Sequence, residues 1–525
     1  MMTLSVGEAL VQGLKARGVD TVFGIPGVHT IELYRGLPGS GIRHVTPRHE
    51  QGAAFMADGY ARASGRIGVA FVITGPGLTN ALTAMAQARA DSVPILVISG
   101  VNRRASFGQG FGLLHELPDQ AGMVRTLCPS LQITAPEMLE PVLNRAFALL
   151  ESGRPGPVHI EVPTDVMPLP AALPALAPPA PAKVPEPGLL AQAAALLNRA
   201  SSVVILAGGG AKHAAPALRA LAERLDAPVI QTTNARGVLF DHPLSLPASP
   251  SLDATRSVIA GADQILAIGT EFGPTDYDMY MRGGLPDMSG MIRIDLCPEQ
   301  LARHPAACRI EGESGASLAA LLPLLQSKSG DGAARAAQGR SAARAELTGL
   351  HPAMPHQLQM VEAIRDAVPG ALIVGDSTQP VYAGNLFYDH DRPGGWFNAA
   401  TGYGALGFGP GAAIGAAIAC PDAPVVCLIG DGGLQFSPAE LRVARDENLN
   451  LTFLVWNNAG YREIAEAMIA ADVPVTGCTP SPLRLEAFAA ACDLPYAGVD
   501  SDPAALRAAL ETPCNGPRLI EIRAT

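Results

Sequence analysis

Residues 428–464 read LIGDGGLQFSPAELRVARDENLNLTFLVWNNAGYREI. Two continuous apolar runs, PVVCLIG (Pro424–Gly430) and LTFLVWNN (Leu451–Asn458), flank a more polar segment of helical character. Apolar runs without alternation suit strands covered on both faces, so this stretch predicts a strand–helix–strand step in a parallel sheet. Asp431 follows the first run and Asn458 ends the second, 27 residues later. Neighbouring parallel strands would bring both side chains to one sheet edge, where open α/β sheets bind their ligands.

A carboxylate, an amide oxygen and a turn carbonyl such as that of Gly460 make an oxygen-only ligand set. Mg²⁺ or Ca²⁺ suits it, and Mg²⁺ keeps several positions for water and phosphate oxygens. Gly432 and Gly433, ahead of a helix predicted from near Ser437, would let backbone N–H groups approach a phosphate. The segment therefore reads as Mg²⁺ bridging the chain to a diphosphate.

Similar runs recur outward along the chain: VAFVIT (Val69–Thr74), PILVIS (Pro94–Ser99), VVILAG (Val203–Gly208) and QILAIG (Gln264–Gly269). Two breaks separate them. PLPAALPALAPPAPAKVPEPG (Pro168–Gly188) is so rich in Pro that it reads as a stiff linker. SKSGDGAARAAQGRSAARAELTGLHPAMPH (Ser327–His356) reads as a helix mixed with an exposed connection. The fold class expected is α/β, with three doubly wound parallel-sheet domains at residues 1–167, 189–326 and 353–525.

A net charge of −11 gives no electrostatic case for nucleic acid or an anionic membrane, which leaves small-molecule chemistry. The eight cysteines are scattered with no CxxC pair, which predicts a reducing, cytoplasmic setting without a disulfide framework or zinc site. The N-terminus lacks a basic segment followed by an apolar run, and no apolar stretch is long enough to cross a bilayer, so neither export nor membrane insertion is expected.

In VTPRHEQGAAFMADGYARASG (Val45–Gly65), Glu50 stands at a predicted helix start ahead of Gly52, Ala53, Ala57, Gly59 and Ala61. Alone, such a Glu reads as a first-turn carboxylate matched to the helix dipole. The small residues mark a helix built for close packing.

GDGG followed by Asn457-Asn458 resembles the cofactor motif of the thiamine-diphosphate-dependent enzymes, and the acetolactate synthase and 2-oxoacid decarboxylase branch fits best. VFGIPG (Val22–Gly27), RHEQGAAFMADGYAR (Arg48–Arg62), TGPGLTNALTAM (Thr74–Met85) and GALGFGPGAAIGA (Gly404–Ala416) follow in that family's order. The resemblance implies a pyrimidine-binding domain, a central domain and a diphosphate-binding domain. It implies Asp431, Asn458 and the Gly460 carbonyl as Mg²⁺ ligands. Leu406 would be the residue that bends the cofactor, and Gly404 the carbonyl facing its aminopyrimidine. Gly432 and Gly433, Ser377, Thr378 and Gln379, and Thr74 and Asn80 fall at further cofactor-contacting positions. Glu50 matches the glutamate that hydrogen-bonds the pyrimidine ring, so that the cofactor's own amino group can remove the thiazolium proton. In the family that glutamate and the metal site come from different subunits, which implies a homodimer or homotetramer and a Glu50 helix packed at the dimer interface.

The residues that decide the outcome depart from familiar members. Val28 and His29 follow PG where simple pyruvate decarboxylases have an acid, and Ile464, beside Glu463, replaces their later glutamate. Leu114-His115-Glu116 stands where acetolactate synthases have Phe-Gln-Glu. His29 and His115 are thus the expected proton donors. GVHTIELYRGL, HVTPRHEQGA, HELPDQ and GTEFGPTDYDMY are most similar to the 5-guanidino-2-oxopentanoate (2-ketoarginine) decarboxylases. That similarity implies a carboxylate for a guanidinium, with Glu116, Glu271, Asp276 and Asp278 as the acids available. LAGGGAKHAA (Leu206–Ala215) lacks a full dinucleotide fingerprint and an acidic ribose partner, so no FAD is expected. The competing readings are a carboligase joining two 2-oxoacids and a cofactor-binding homologue without turnover; the latter should have lost Glu50, Asp431 or Asn458.

Overall fold

A computed structural model describes residues 4–178 and 183–524. Residues 179–182 of the Pro-rich linker lie outside the described residues.

Each quoted apolar run becomes a buried strand, and the strands assemble into three six-stranded parallel sheets flanked by helices. The N-terminal sheet runs Arg43–Val45, Thr21–Gly24, Gly68–Val72, Ile95–Val101, Val158–Pro163, Ser130–Gln132. The C-terminal sheet repeats that order with Trp396–Asn398, Leu372–Gly375, Val425–Gly430, Leu451–Asn457, Arg518–Arg523 and Tyr496–Asp500. The middle sheet is wound differently: Ser245–Leu246, Val229–Gln231, Val203–Ala207, Gln264–Ile268, Ile292–Asp295, Cys308–Glu311. Numbered along the chain this is 3-2-1-4-5-6, the order of dinucleotide-binding sheets.

The chain order reverses between Thr21–Gly24 and Gly68–Val72 in the first sheet, and between Leu372–Gly375 and Val425–Gly430 in the last. At such a switch point neighbouring strands lead their connections apart and open a crevice at their carboxyl ends. Gly27 to His29 and Thr74 follow the first pair of strands; Asp376 to Gln379 and Asp431 follow the second.

The breaks in the sequence are only partly irregular. Pro170–Ala171 pairs antiparallel with Leu4–Ser5, and the 19-residue helix Gly332–Leu350 fills most of the second break.

The Glu50–Ser64 helix is buried from Gly52 to Arg62 against the Phe408–Ala419 helix of the same chain. A Cβ on Gly59 would stand 1.9 Å from Ala412 O, and one on Gly415 1.9 Å from Met56 O, so the two backbones touch. This corrects one expectation. The small residues after Glu50 serve a crossing within the chain, where two glycine-bearing helices weld the N- and C-terminal sheets into one apolar core. At the far end of that helix Arg62 is buried between Asp58 and Asp91, at 2.5 and 2.8 Å.

Candidate active site in two halves

The C-terminal half begins with strand pairing. Val425–Gly430 and Leu451–Asn457 run parallel with Gly430 opposite Trp456, so the next residues, Asp431 and Asn458, emerge together, and the Asn458 N–H lies 3.4 Å from Asp431 Oδ1. A helical turn starts at Asp431 itself and ends at Leu434, ahead of the helix that the sequence predicts from near Ser437. A separate 3₁₀ turn, Pro438–Glu440, precedes the helix Leu441–Asp446. Pro438 opens a fresh turn, having no N–H to continue the earlier one.

One end of the Asn458 amide lies 2.9 Å from Gly460 O and 3.3 Å from Asp431 Oδ1. At the other end, Nδ2 donates to Gln379 Oε1 at 3.0 Å. That donation turns Asn458 Oδ1 toward two other acceptors. Three converging oxygens repel unless a cation lies among them, and separations near 3 Å are the edges of an octahedron with ~2.1 Å metal–oxygen bonds. The donor set fits a hard cation. Burial raises the Asp431 carboxyl above its usual value, and nearby backbone N–H groups oppose the rise.

Gln379 thus orients Asn458 and also faces Trp456 Nε1 at 3.4 Å. Thr378 precedes the Gln379–Leu386 helix, and Ser377 N–H donates to Asp376 Oδ1 at 2.8 Å. Asp376, which the sequence reading passed over, is fully buried and accepts from Gly409 N–H at 2.9 Å, on the first turn of the Phe408 helix. Burial pushes its carboxyl up to about 6 against those N–H donations. Its place in IVGDST, at a strand end, was the available signal. The loop before the Phe408 helix carries Gly404 and a half-buried Leu406, and is fixed by Ser437 Oγ donating to Gly407 O at 2.9 Å.

The N-terminal half gathers at the other switch point. Glu50 is the first residue of its helix, behind His49, whose Nδ1 accepts from Gln51 N–H. Its carboxylate accepts from Asn80 Nδ2 at 3.0 Å, and Asn80 lies on the Pro76–Ala90 helix that follows Thr74 and Gly75. His29 and His115 meet edge to face with ring centroids 5.2 Å apart. Thr74 Oγ1, His29 Nδ1 and His115 Nδ1 are buried without a hydrogen-bond partner. Orphaned polar atoms are costly, and three of them from this half fit a polar group seated against them. His115 also has φ +61°, an uncommon conformation for a residue with a Cβ. Burial and the neighbouring His115 hold the His29 imidazole below its usual value.

Gln120, also missed, sits behind this cluster: Oε1 accepts from Gly75 N–H at 2.9 Å, and Nε2 donates to Gly100 O at 2.9 Å and Glu161 Oε2 at 3.0 Å. Gly75 backs onto the His115 carbonyl and Gly100 onto that of His29.

Three of the acids expected near a guanidinium lie elsewhere. Asp278 pairs with Arg256 at 3.2 Å and accepts from Arg282 and Gly284 N–H groups. Glu271 pairs with Arg154 at 2.6 Å. Glu271 and Asp276 line a cavity of about 710 Å³ at the switch point of the middle sheet, walled also by Gly208, Lys212, Arg62 and Asp91. None of Glu50, His29, His115 or Asp431 lines it. Glu116 stays beside His115, its carboxylate accepting from Phe111 and Leu113 N–H groups.

Residues 4–123 match the description "Thiamine pyrophosphate enzyme, N-terminal TPP binding domain", 190–321 the central domain of that family and 376–522 its C-terminal TPP binding domain. A curated relative from Pseudomonas aeruginosa, "Probable 2-ketoarginine decarboxylase AruI", is 45% identical over 494 residues, 91% of this chain and 86% of that one. This chain belongs to the thiamine pyrophosphate enzymes. Within that family, the acetolactate synthase isozyme 1 large subunit of Escherichia coli is 30% identical, covering 98% of this chain and 93% of its own. The X-ray structure of a protein from Mycobacterium smegmatis, described as thiamin diphosphate-dependent, superposes with TM-score 0.82 over 99% of both chains at 24% identity, a likeness of fold. The decarboxylase and acetolactate synthase relatives make the chain a thiamine-diphosphate-dependent enzyme of that kind. Among the described residues no helix is long and apolar enough to cross a membrane.

Proposed function

We propose that the enzyme removes CO₂ from 5-guanidino-2-oxopentanoate (2-ketoarginine) without net oxidation and releases 4-guanidinobutanal. The observation that carries the reading is the trio of unpartnered buried atoms, Thr74 Oγ1, His29 Nδ1 and His115 Nδ1, at the switch point that also holds Glu50. Two imidazoles with free Nδ1 atoms would be able to supply protons at the site, which favours a protonated aldehyde product over attack on a second carbonyl. The 45% identity to a protein named for 2-ketoarginine supports the side chain. The 30% identity to acetolactate synthases keeps carboligation as the competing outcome.

When bound, thiamine diphosphate supplies the carbon nucleophile and the electron sink for decarboxylation. The chain's residues do the rest. Asp431, Asn458 and the Gly460 carbonyl hold Mg²⁺, with Gln379 fixing the amide. Gly432, Gly433, Ser377 and Thr378 would hold the diphosphate, and Leu406 and Gly404 would hold the ring end of the cofactor. Glu50, steadied by Asn80, holds a proton at the pyrimidine ring. His29 and His115 hand protons to and from the substrate, and Glu116 is the acid placed to meet the guanidinium.

The active site forms between subunits of a homo-oligomer in this proposal. Within the described chain no hydrogen bond joins the Glu50, His29 or His115 side chains to those of Asp431, Asn458 or Gln379, and each half is bordered by exposed apolar side chains: Val28, Phe111 and Leu114 on one, Phe436, Ile464 and Ile469 on the other. Apolar surface of that extent on two faces of one chain marks association. Eight free thiols support a cytoplasmic setting.

Sedimentation of the holoenzyme with a mixed-variant test checks the shared site. Glu50→Gln and Asp431→Ala proteins, each inactive alone, should regain activity when mixed and reassembled; absence of any regain would contradict a site built from two chains.

A further inference from the structure

Glu440 follows the metal-site turn by a few residues, yet its side chain lies on the other domain, buried beneath the start of the helix that carries Glu50. Oε1 and Oε2 accept from the Arg48 N–H at 3.2 and 3.1 Å, and the His49 N–H points at the same carboxylate. One turn on, a Cβ built on Gly52 would stand 2.2 Å from Glu440 Oε1. The backbone of residues 48–52 is therefore wrapped around one carboxylate, with Glu50 in the middle of the wrap. An anion in this place satisfies N–H groups that a helix start leaves unpaired, and it suits the helix dipole.

We propose that Glu440 is the positioning residue for Glu50: by holding the Arg48 and His49 N–H groups it fixes where the Glu50 side chain leaves the helix. The inference rests on the reading of Glu50 given above. A plain interdomain tie would need neither two oxygens on one N–H nor a glycine at 52. Arg48 is the charged side chain that acts on the carboxylate, and it also pairs with Asp446. Burial pushes the Glu440 carboxyl up to about 7, opposed by the N–H groups and Arg48.

The test is the rate at which the cofactor's thiazolium proton exchanges with D₂O, measured by acid quench and NMR. It would be run in wild-type enzyme loaded with thiamine diphosphate and Mg²⁺ and in Glu440→Gln, Gly52→Ala and Glu50→Gln proteins. Cofactor Kd and Tm are measured alongside. Gly52→Ala keeps Glu440 but displaces its carboxylate, and Ala favours the helix, so this variant decides the matter if Glu440→Gln fails to fold. The expected result is exchange slowed at least tenfold in Glu440→Gln and Gly52→Ala, with cofactor Kd changed less than threefold. Normal exchange in both, with exchange lost in Glu50→Gln, overturns the positioning role alone. Normal exchange in Glu50→Gln overturns the reading of Glu50 and this proposal with it.

Discussion

His29 and His115 face each other edge to face at 5.2 Å between ring centroids, and the Nδ1 of each is buried without a partner. His115 reaches that position only by adopting φ +61°, and Gln120 supports the glycines behind both rings. Two imidazoles held in an unsatisfied pair are groups waiting for a ligand. Replacing either by Ala should lower kcat for 2-oxoacid turnover by about 10²-fold or more, the usual worth of a positioned acid or base. Cofactor Kd from calorimetry should stay within a few-fold. Because His29 titrates below the ordinary imidazole value, its protonated form gains ground only on the acid side. A His29-dependent rise in kcat as pH falls toward 6 should therefore vanish in His29→Ala.

At the metal site, Gln379 accepts from Asn458 Nδ2 and so faces the amide oxygen toward Asp431 and Gly460. Gln379→Ala should weaken Mg²⁺ by about 10–100-fold, as loss of an outer support usually does. Asp431→Ala should abolish Mg²⁺-dependent retention of the cofactor. Titrating Mg²⁺ into the apoenzyme with thiamine diphosphate present, and following tryptophan fluorescence, separates the two.

Arg62 is enclosed by Asp58 and Asp91 at the crossing of the Glu50 and Phe408 helices. Its removal would strand two buried carboxylates, a cost of about 3–5 kcal/mol. Arg62→Ala should lower Tm by several degrees in a calorimetric scan, while Arg66→Ala, on an exposed ion pair with Asp20, should leave it nearly unchanged.

Linkage gives a further check on Glu440. Its folded value is raised to about 7, above that of an unfolded glutamate. Stability from this group is therefore fully present below the unfolded value and is lost as pH rises through about 7. Glu440→Gln removes that dependence, so the Tm gap between wild type and variant should narrow from pH 5 to pH 8. A gap that widens instead would contradict the assigned burial.

The three sheets were legible in the sequence because strands buried on both faces leave continuous apolar runs, as in Val203–Ala207 and Leu451–Asn457. Asp431 and Asn458 were legible because a β–α–β step fixes where strand ends meet. Strand order was not, since six similar runs permit either 2-1-3-4-6-5 or 3-2-1-4-5-6. Glu271, Asp276 and Asp278 were misplaced for that reason: an acidic loop shows its composition but not which cavity it lines. Glu440 and Gln120 stayed silent because each acts on backbone groups distant in sequence and so has no local pattern, whereas Asp376 was marked only by its place at a strand end.

The central claim is the reaction itself. Purified enzyme with thiamine diphosphate and Mg²⁺ should be given 2-ketoarginine, pyruvate, 2-oxobutyrate and benzoylformate in turn, with CO₂ measured and the organic product identified by mass spectrometry. The account predicts 4-guanidinobutanal and one CO₂ per 2-ketoarginine, with far slower turnover of the other acids. Acetolactate from pyruvate as the main product, or no CO₂ from 2-ketoarginine, would contradict it.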